Sequence, residues 1–295
     1  MKKILVIGGT GMIGKPVVRA LLQAGFAVTV LARDTEKARK LFPAATVLKG
    51  DVFDPLSLLP AFEGQDAVYI SLSPPRTARP ADRMPEGEGI DNIIAVAKKT
   101  GGLTRLVLLS SLVQRYNGMN GFHWWIFDIK LAAVEKLKQC GIPYTIFYPS
   151  SFMECFDQLL LKGRRIMLAG TSKAPMYFIA AEDYGKQVAR SFELLTTQNR
   201  EYIIQGVTAY NWDDGARVFI AHYKKARLKT LKAPLGMLQF LGLFSATVRY
   251  GATIMEALNN YPEQFDSAAT WQELGKPGIT LEAYAERQSA VGNRQ

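Results

Sequence analysis

The chain has 295 residues, 48% of them apolar, and a formal net charge of +10. Two cysteines, Cys140 and Cys155, make no disulfide framework and match no metal-ligand spacing, so a reducing, cytoplasmic setting and no bound metal are expected. No apolar run reaches the ~18 residues needed to cross a bilayer, and no zinc-finger or RNA-recognition signature accompanies the basic charge, so neither a membrane-spanning nor a nucleic-acid-binding protein is indicated.

The opening MKKILVIGG is too short in its apolar part for a signal peptide and reads as a first strand over residues 3–7. A helix is predicted over 12–24 from the apolar spacing of Ile13, Val17, Val18, Leu21 and Leu22, closed by Gly25. Strands follow at 27–31, 45–48, 67–72, 105–109 and 144–147. Helices are predicted between them at 35–41, 56–62, 89–99 and 127–139. Short strands that are apolar on both faces, alternating with helices, specify an α/β fold: a doubly wound parallel sheet of the Rossmann type over residues 1–150. Residues 151–295 are expected to form a smaller substrate-binding lobe, interleaved with that core. There, short strands are expected near 167, 170, 175 and 178–180 and at 202–205, with helices at 181–194 and 212–223. Residues 234–258 are apolar and interrupted by Gly236, Gly242 and Gly251. They suit two packed helices walling a substrate pocket; an interfacial membrane helix is the lesser reading.

The motif GGTGMIG, residues 8–14, follows the first strand and opens the first helix. In that context Gly8 allows a sharp turn and Gly11 lets the backbone approach a pyrophosphate. Gly14 is expected to let the helix pack on the sheet. Amides from Gly11 through Met12 to Ile13 would face the phosphate with the helix dipole behind them. The end of the second strand, VTVLARDTEK, selects the cofactor. Arg33, with Lys37 one helical turn later, suits the 2′-phosphate of NADP(H), because a guanidinium meets phosphate by paired hydrogen bonds. The neighbouring Asp34 is the competing acid for a ribose hydroxyl. Asp51, in KGDVFD, either accepts from the adenine amino group or caps a helix.

These pieces together carry a resemblance. GGTGMIG, LAR, KGDVFD, LLSS at 108–111, KLAAVE at 130–135, GIPYTIFYPSSFMECF at 141–156, FIAAEDYG at 178–185, YIIQGVTAYNWDDGA at 202–216 and LGKPGITLEAYA at 274–285 resemble the NmrA-like, atypical branch of the short-chain dehydrogenase/reductase superfamily. The likeness is weakest from about 224 to 270. It implies a Rossmann fold with a small C-terminal lobe. It implies cofactor contacts at Thr10, Met12, Ile13, Arg33, Ser71, Leu72, Ser73, Lys130, Pro149, Ser150 and Phe152, which Ser110 at the end of the fifth strand would join. It also implies either an NADPH-dependent reductase or a regulator that binds the cofactor without turnover.

In the superfamily's catalytic members a tyrosine stands four residues before the lysine and a serine follows the fifth strand. Here HWWIFDIK puts Ile126 before Lys130, and Leu112 stands at the serine position. His123, seven residues before Lys130, is a substitute acid if the helix extends that far; Tyr116 is a second. Phe122, Trp124, Trp125 and Phe127 suggest an aromatic lid over a flat substrate, with Phe152, Met153, Phe156 and residues 235–248 as further walls. The expected activity is hydride transfer from NADPH to a small apolar or aromatic carbonyl, enone or quinone. The alternative is a non-catalytic NADP(H)-sensing regulatory protein. The basic cluster Lys224, Lys225, Arg227, Lys229 and Lys232 reads as a solvated face, with membrane-surface binding as a minor option.

Overall fold

The computed structural model describes residues 2–194 and 197–291. The first half runs β1 (Lys3–Ile7), α1 (Gly14–Gln23), β2 (Ala27–Ala32), α2 (Thr35–Leu41), β3 (Thr46–Lys49), α3 (Pro55–Phe62), β4 (Ala67–Ile70), α4 (Ile90–Thr100), β5 (Arg105–Leu109), α5 (Trp125–Gln139) and β6 (Tyr144–Pro149). It continues through β7 (Leu161–Lys162), β8 (Arg165–Ala169), α6 (Ala181–Glu193), β9 (Arg200–Ile204), α7 (Trp212–His222) and β10 (Lys229–Ala233). Four helices close the chain: α8 (Leu235–Leu241), α9 (Ala246–Asn260), α10 (Ala268–Leu274) and α11 (Leu281–Val291).

Seven strands form one parallel sheet in the order β3-β2-β1-β4-β5-β6-β9. The two-residue period of each strand divides its side chains between two cores. Leu5, Ile7, Val68, Ile70, Leu106 and Leu108 face one side, packed with residues of α3, α4 and α5. Ile4, Val6, Val28, Val30, Tyr69 and Val107 face the other, with α1 and α6. This is why the strands are apolar throughout rather than alternating. The order reverses at β1, whose neighbours β2 and β4 lead to opposite halves of the sheet, and a crevice opens at the carboxyl ends of β1 and β4. A second, three-stranded sheet, β10-β8-β7, buries Ile166 and Leu168 in a third core with Phe156, Phe178 and Trp212.

Local chemistry sets the helix starts. Asp34 accepts from the Lys37 amide at 3.0 Å and caps α2. Asp54 caps α3, with Pro55 at the first helical position. The predicted start of α1 at residue 12 moves to Gly14, because the Gly11 amide closes a turn on the Gly8 carbonyl and residues 8–13 are loop. The strands expected at 170, 175 and 178–180 reduce to two isolated bridges, Phe152 with Ile179 and Met176 with Tyr210. Strand β10 falls in the segment read as a solvated basic face; all but its last residue is exposed, as suits the edge of a sheet.

The α6 N-terminus is held by a buried carboxylate. Both oxygens of Glu154 accept from the Ala181 amide, at 3.0 and 3.1 Å. Burial raises the Glu154 carboxyl to about 7, although the amide bond works against that rise. The folded chain thus keeps a proton that the unfolded chain releases between its ordinary pKa and about 7. Stability therefore falls as pH rises through that window, by up to ~3 kcal/mol for this group. In Glu154→Gln the urea midpoint should fall less between about pH 5 and about pH 7 than in the unmutated chain; equal slopes would exclude Glu154 as the source.

Candidate functional site

Two cavities meet in the crevice. The first, of about 430 Å³, lies over the glycine loop and extends to Arg33, Asp51 and Phe53. The second, of about 220 Å³, lies between the ends of β5 and β6 and helix α9. They share Ile13, Leu72, Ser73 and Leu109 as walls, so they form one groove with two chambers.

The glycine loop is built by close backbone contact. Gly8 has φ +83°, and a Cβ there would lie 1.9 Å from the Ser71 carbonyl oxygen. A Cβ on Gly14 would lie 2.2 Å from the Gly8 carbonyl oxygen, so Gly14 packs on the loop and not on the sheet as expected. The contact between helix and strand belongs to Gly9, against Val6, Val18 and Val30. Gly11 is different. Its added Cβ would meet only the Gly8 oxygen at 3.3 Å, and the residue is exposed to the first chamber. Among the described residues the Met12 and Ile13 amides have no backbone partner, and the first turn of α1 carries no acid. Free amides at a helix start with no competing carboxylate make a site for a phosphate.

Thr10, Met12, Arg33, Asp51 and Ser71 line the same chamber. Arg33 extends from the end of β2. Asp34 caps α2 through one oxygen and does not line the chamber. Lys37 is exposed on α2 and does not line the chamber. Asp51 accepts from the Phe53 amide at 3.0 Å through one oxygen while facing the chamber.

Among the described residues, Lys130 is the one charged residue lining the second chamber. Its Nζ lies 2.5 Å from Oε1 of Glu86, which is 4% exposed on a turn of π-helix, Pro85–Gly89. Burial raises the Glu86 carboxyl, and the Lys130 charge and hydrogen bond pull it back. Oε2 of Glu86 has no partner among the described residues. Burial, together with the Glu86 charge, raises the Tyr250 phenol. Ser110, Ser111, Pro149, Ser150 and Phe152 line this chamber as well. Ser110 donates to Gln114 at 3.0 Å and Ser150 to Glu263 at 2.8 Å, so both hydroxyls are tied to the frame. The Cys155 thiol is pushed up to about 12 by burial, which leaves it a poor nucleophile.

His123 and Tyr116 are not among the residues that line the chamber with Lys130. Helix α5 begins at Trp125, after an extended Trp124, so His123 is not two turns along the same helix. Its side chain is 67% exposed and pairs with Asp128 at 2.9 Å. Tyr116 is buried against Phe122 with ring centroids 5.0 Å apart. Phe122, Trp124 and Phe127 pack with one another in the core and form no lid. Ile126 and Leu112 are buried in that core too. Neither tyrosine nor histidine lines the second chamber among the described residues. Residues 235–248 line neither chamber; the far wall is Ile254 and Leu258, one turn apart on α9. Met153 and Phe156 belong to the third core. The sequence reading missed Glu86 because PEGEG resembles an exposed turn. The i, i+4 spacing of Ile254 and Leu258 was legible.

Comparison with known proteins agrees with this architecture. A model of the NmrA-like family matches residues 1–265. Photosystem II assembly factor Ycf39 of Synechocystis is 25% identical, over 96% of this chain and 90% of its own. The NAD(P)H azoreductase of Xenophilus azovorans is 26% identical, over 74% of this chain and 72% of its own. Among solved structures, the Citrobacter triphenylmethane reductase complexed with NADP(H) superposes with a TM-score of 0.75 at 17% identity, covering 97% of this chain and 99% of its own.

The loop geometry separates folding from binding. Gly11→Ala should leave the thermal midpoint within about 2 °C of the unmutated chain and weaken NADPH binding at least about tenfold, because the new methyl occupies phosphate space. Gly14→Ala should lower the midpoint by several times as much, since its methyl meets backbone. A Gly11→Ala chain that binds NADPH normally in a fluorescence titration would remove the loop from the site.

Proposed function

The chain belongs to the NmrA-like family, and on that footing we propose that it binds NADP(H) in the first chamber and reduces a small apolar or aromatic acceptor in the second. The observation that carries this reading is Lys130, a lone ammonium in an otherwise uncharged chamber that opens directly into the glycine-loop groove. The residues present fit the cofactor. Gly11 leaves space for a pyrophosphate, the Met12 and Ile13 amides are free to meet it, and Arg33, which lines the same chamber, would meet a 2′-phosphate. When bound, the nicotinamide supplies hydride to the acceptor's carbon.

The chain's own residues do the remainder. Leu109, Phe152, Ile254 and Leu258 surround the acceptor and exclude water. Lys130 would hold the nicotinamide ribose and present a proton to the acceptor's oxygen, which solvent would then restore. Glu86 fixes the position of Nζ through its 2.5 Å contact. Quinones, enones and carbonyls are the acceptor classes that this proton inventory serves, and quinones ask least of it. The names of the azoreductase and triphenylmethane reductase relatives favour a flat, conjugated acceptor.

A second reading is favoured by one observation. The positions that carry tyrosine and serine in the catalytic superfamily hold Ile126 and Leu112, and both are core residues. A cofactor-sensing regulator needs the first chamber without chemistry in the second, and the Synechocystis relative is named as an assembly factor.

The experiment is an NADPH fluorescence titration followed by a panel of quinones, aromatic enones and azo dyes. Oxidation of NADPH is the expected result; tight binding with no oxidation by any acceptor would favour the regulator. Arg33→Ala should weaken NADPH binding about ten- to a hundredfold and leave NADH binding nearly unchanged. Equal losses would remove Arg33 from 2′-phosphate recognition. Lys130→Ala should lower turnover at least about a hundredfold. Glu86→Gln should give a smaller loss, because Nζ loses the carboxylate that positions it.

A further inference from the structure

The three-stranded sheet and the helix that follows it each expose an unusual set of side chains. On β8, Ile166 and Leu168 point into the third core, so Arg165 and Met167 point outward. Arg165 pairs in register with Lys162 of β7 and with Lys229 of β10. Cross-strand partners share a face, so three cations form a row across that outer face. All three are exposed. None has an acidic partner among the described residues. The next row on the same face is apolar, Met167 and Leu231.

From β10 the chain passes through Pro234 into α8. No charged residue occurs between Lys232 and Arg249. Leu235 and Leu238 anchor the inner side of α8 on the third core. The outer side and the turn into α9 are apolar as well, with Met237, Phe240, Leu241, Leu243 and Phe244 exposed. Phe240 is 63% and Phe244 81% exposed, and their rings meet edge to face at 5.8 Å. An uncharged knob of this size in water is costly unless something covers it. No helix among the described residues is long and apolar enough to cross a membrane. The feature can therefore enter a bilayer only at its surface.

We propose that the α8–α9 turn docks the protein on an anionic bilayer. Phe240, Leu243 and Phe244 enter the boundary between headgroups and acyl chains, and Lys162, Arg165 and Lys229 lie against lipid phosphates. Charge complementarity selects this occupant. The unpaired cations need anions, the knob needs hydrocarbon, and an anionic lipid surface supplies both at once. Docking of this kind requires no turnover and no bound cofactor.

The test is co-sedimentation of the full chain with vesicles of phosphatidylcholine alone or of equimolar phosphatidylcholine and phosphatidylglycerol, at low and high salt. The expected result is binding to the mixed vesicles, weakened by salt, with little binding to phosphatidylcholine. Phe240→Ser with Phe244→Ser should lower the partition constant at least about tenfold. Lys162→Glu with Lys229→Glu should abolish the preference for phosphatidylglycerol. An unchanged thermal midpoint in both variants shows that they fold. The proposal is overturned if the chain stays in the supernatant at low salt, if the phenylalanine variant sediments like the unmutated chain, or if phosphatidylglycerol adds nothing. It is also overturned if size-exclusion chromatography shows a lipid-free dimer that the phenylalanine variant converts to monomer while vesicle binding is absent.

Discussion

The close approach of Gly8 to the Ser71 carbonyl is the contact on which the groove depends. The first strand can turn away from the sheet only because no side chain intervenes between the ends of β1 and β4. That turn places the start of α1 over the point where the strand order reverses. Gly14 then seats the helix on the loop's own backbone, and Gly9 seats the loop between β1, β2 and α1. Three of the four glycines are thus consumed by packing. Gly11 alone keeps its side-chain space free toward the chamber, so building the loop and receiving a ligand fall to different residues of one short motif.

Buried carboxylates tie the rest of the chain to this crevice. Glu86 meets Lys130, Glu154 caps α6, and Glu263 accepts from Ser150, Gln205 and the Tyr177 amide. Burial raises all three carboxyls. Each is costly to bury, and the hydrogen bonds it receives offset part of that cost. Each also joins segments far apart in the sequence, as Glu263 does with Ser150 at the floor of the second chamber. The polar frame of the site is therefore made of long-range pairs, while its walls are made of local apolar spacing. Helix α9 bridges the two surfaces discussed above: Ile254 and Leu258 line the second chamber, and its first turn follows the exposed knob.

Much was legible from the sequence alone. Periodicity and glycine placement determined the parallel sheet, the phosphate loop and the helices between strands, because those features arise within a few residues and repeat along the chain. The position of Arg33 at the end of β2 was readable for the same reason, since strand length fixes where the side chain emerges. The family followed from an ordered set of such local pieces.

Tertiary structure alone decided the rest. His123 stood at a helical spacing from Lys130, but an extended Trp124 ends the helix before reaching it. The aromatic residues around it resembled a lid and are core, because composition does not say which side of a helix faces inward. Glu86 was invisible in PEGEG, since only the packing of the π-turn against α4 and α5 buries that carboxylate beside a lysine. The apolar run at 235–248 reads as pocket wall, but it packs Leu235 and Leu238 on the third core and exposes Met237, Phe240, Leu241, Leu243 and Phe244, because the pocket is closed by the second half of α9. Local order is written in spacing; burial depends on what the remainder of the chain brings to the same place.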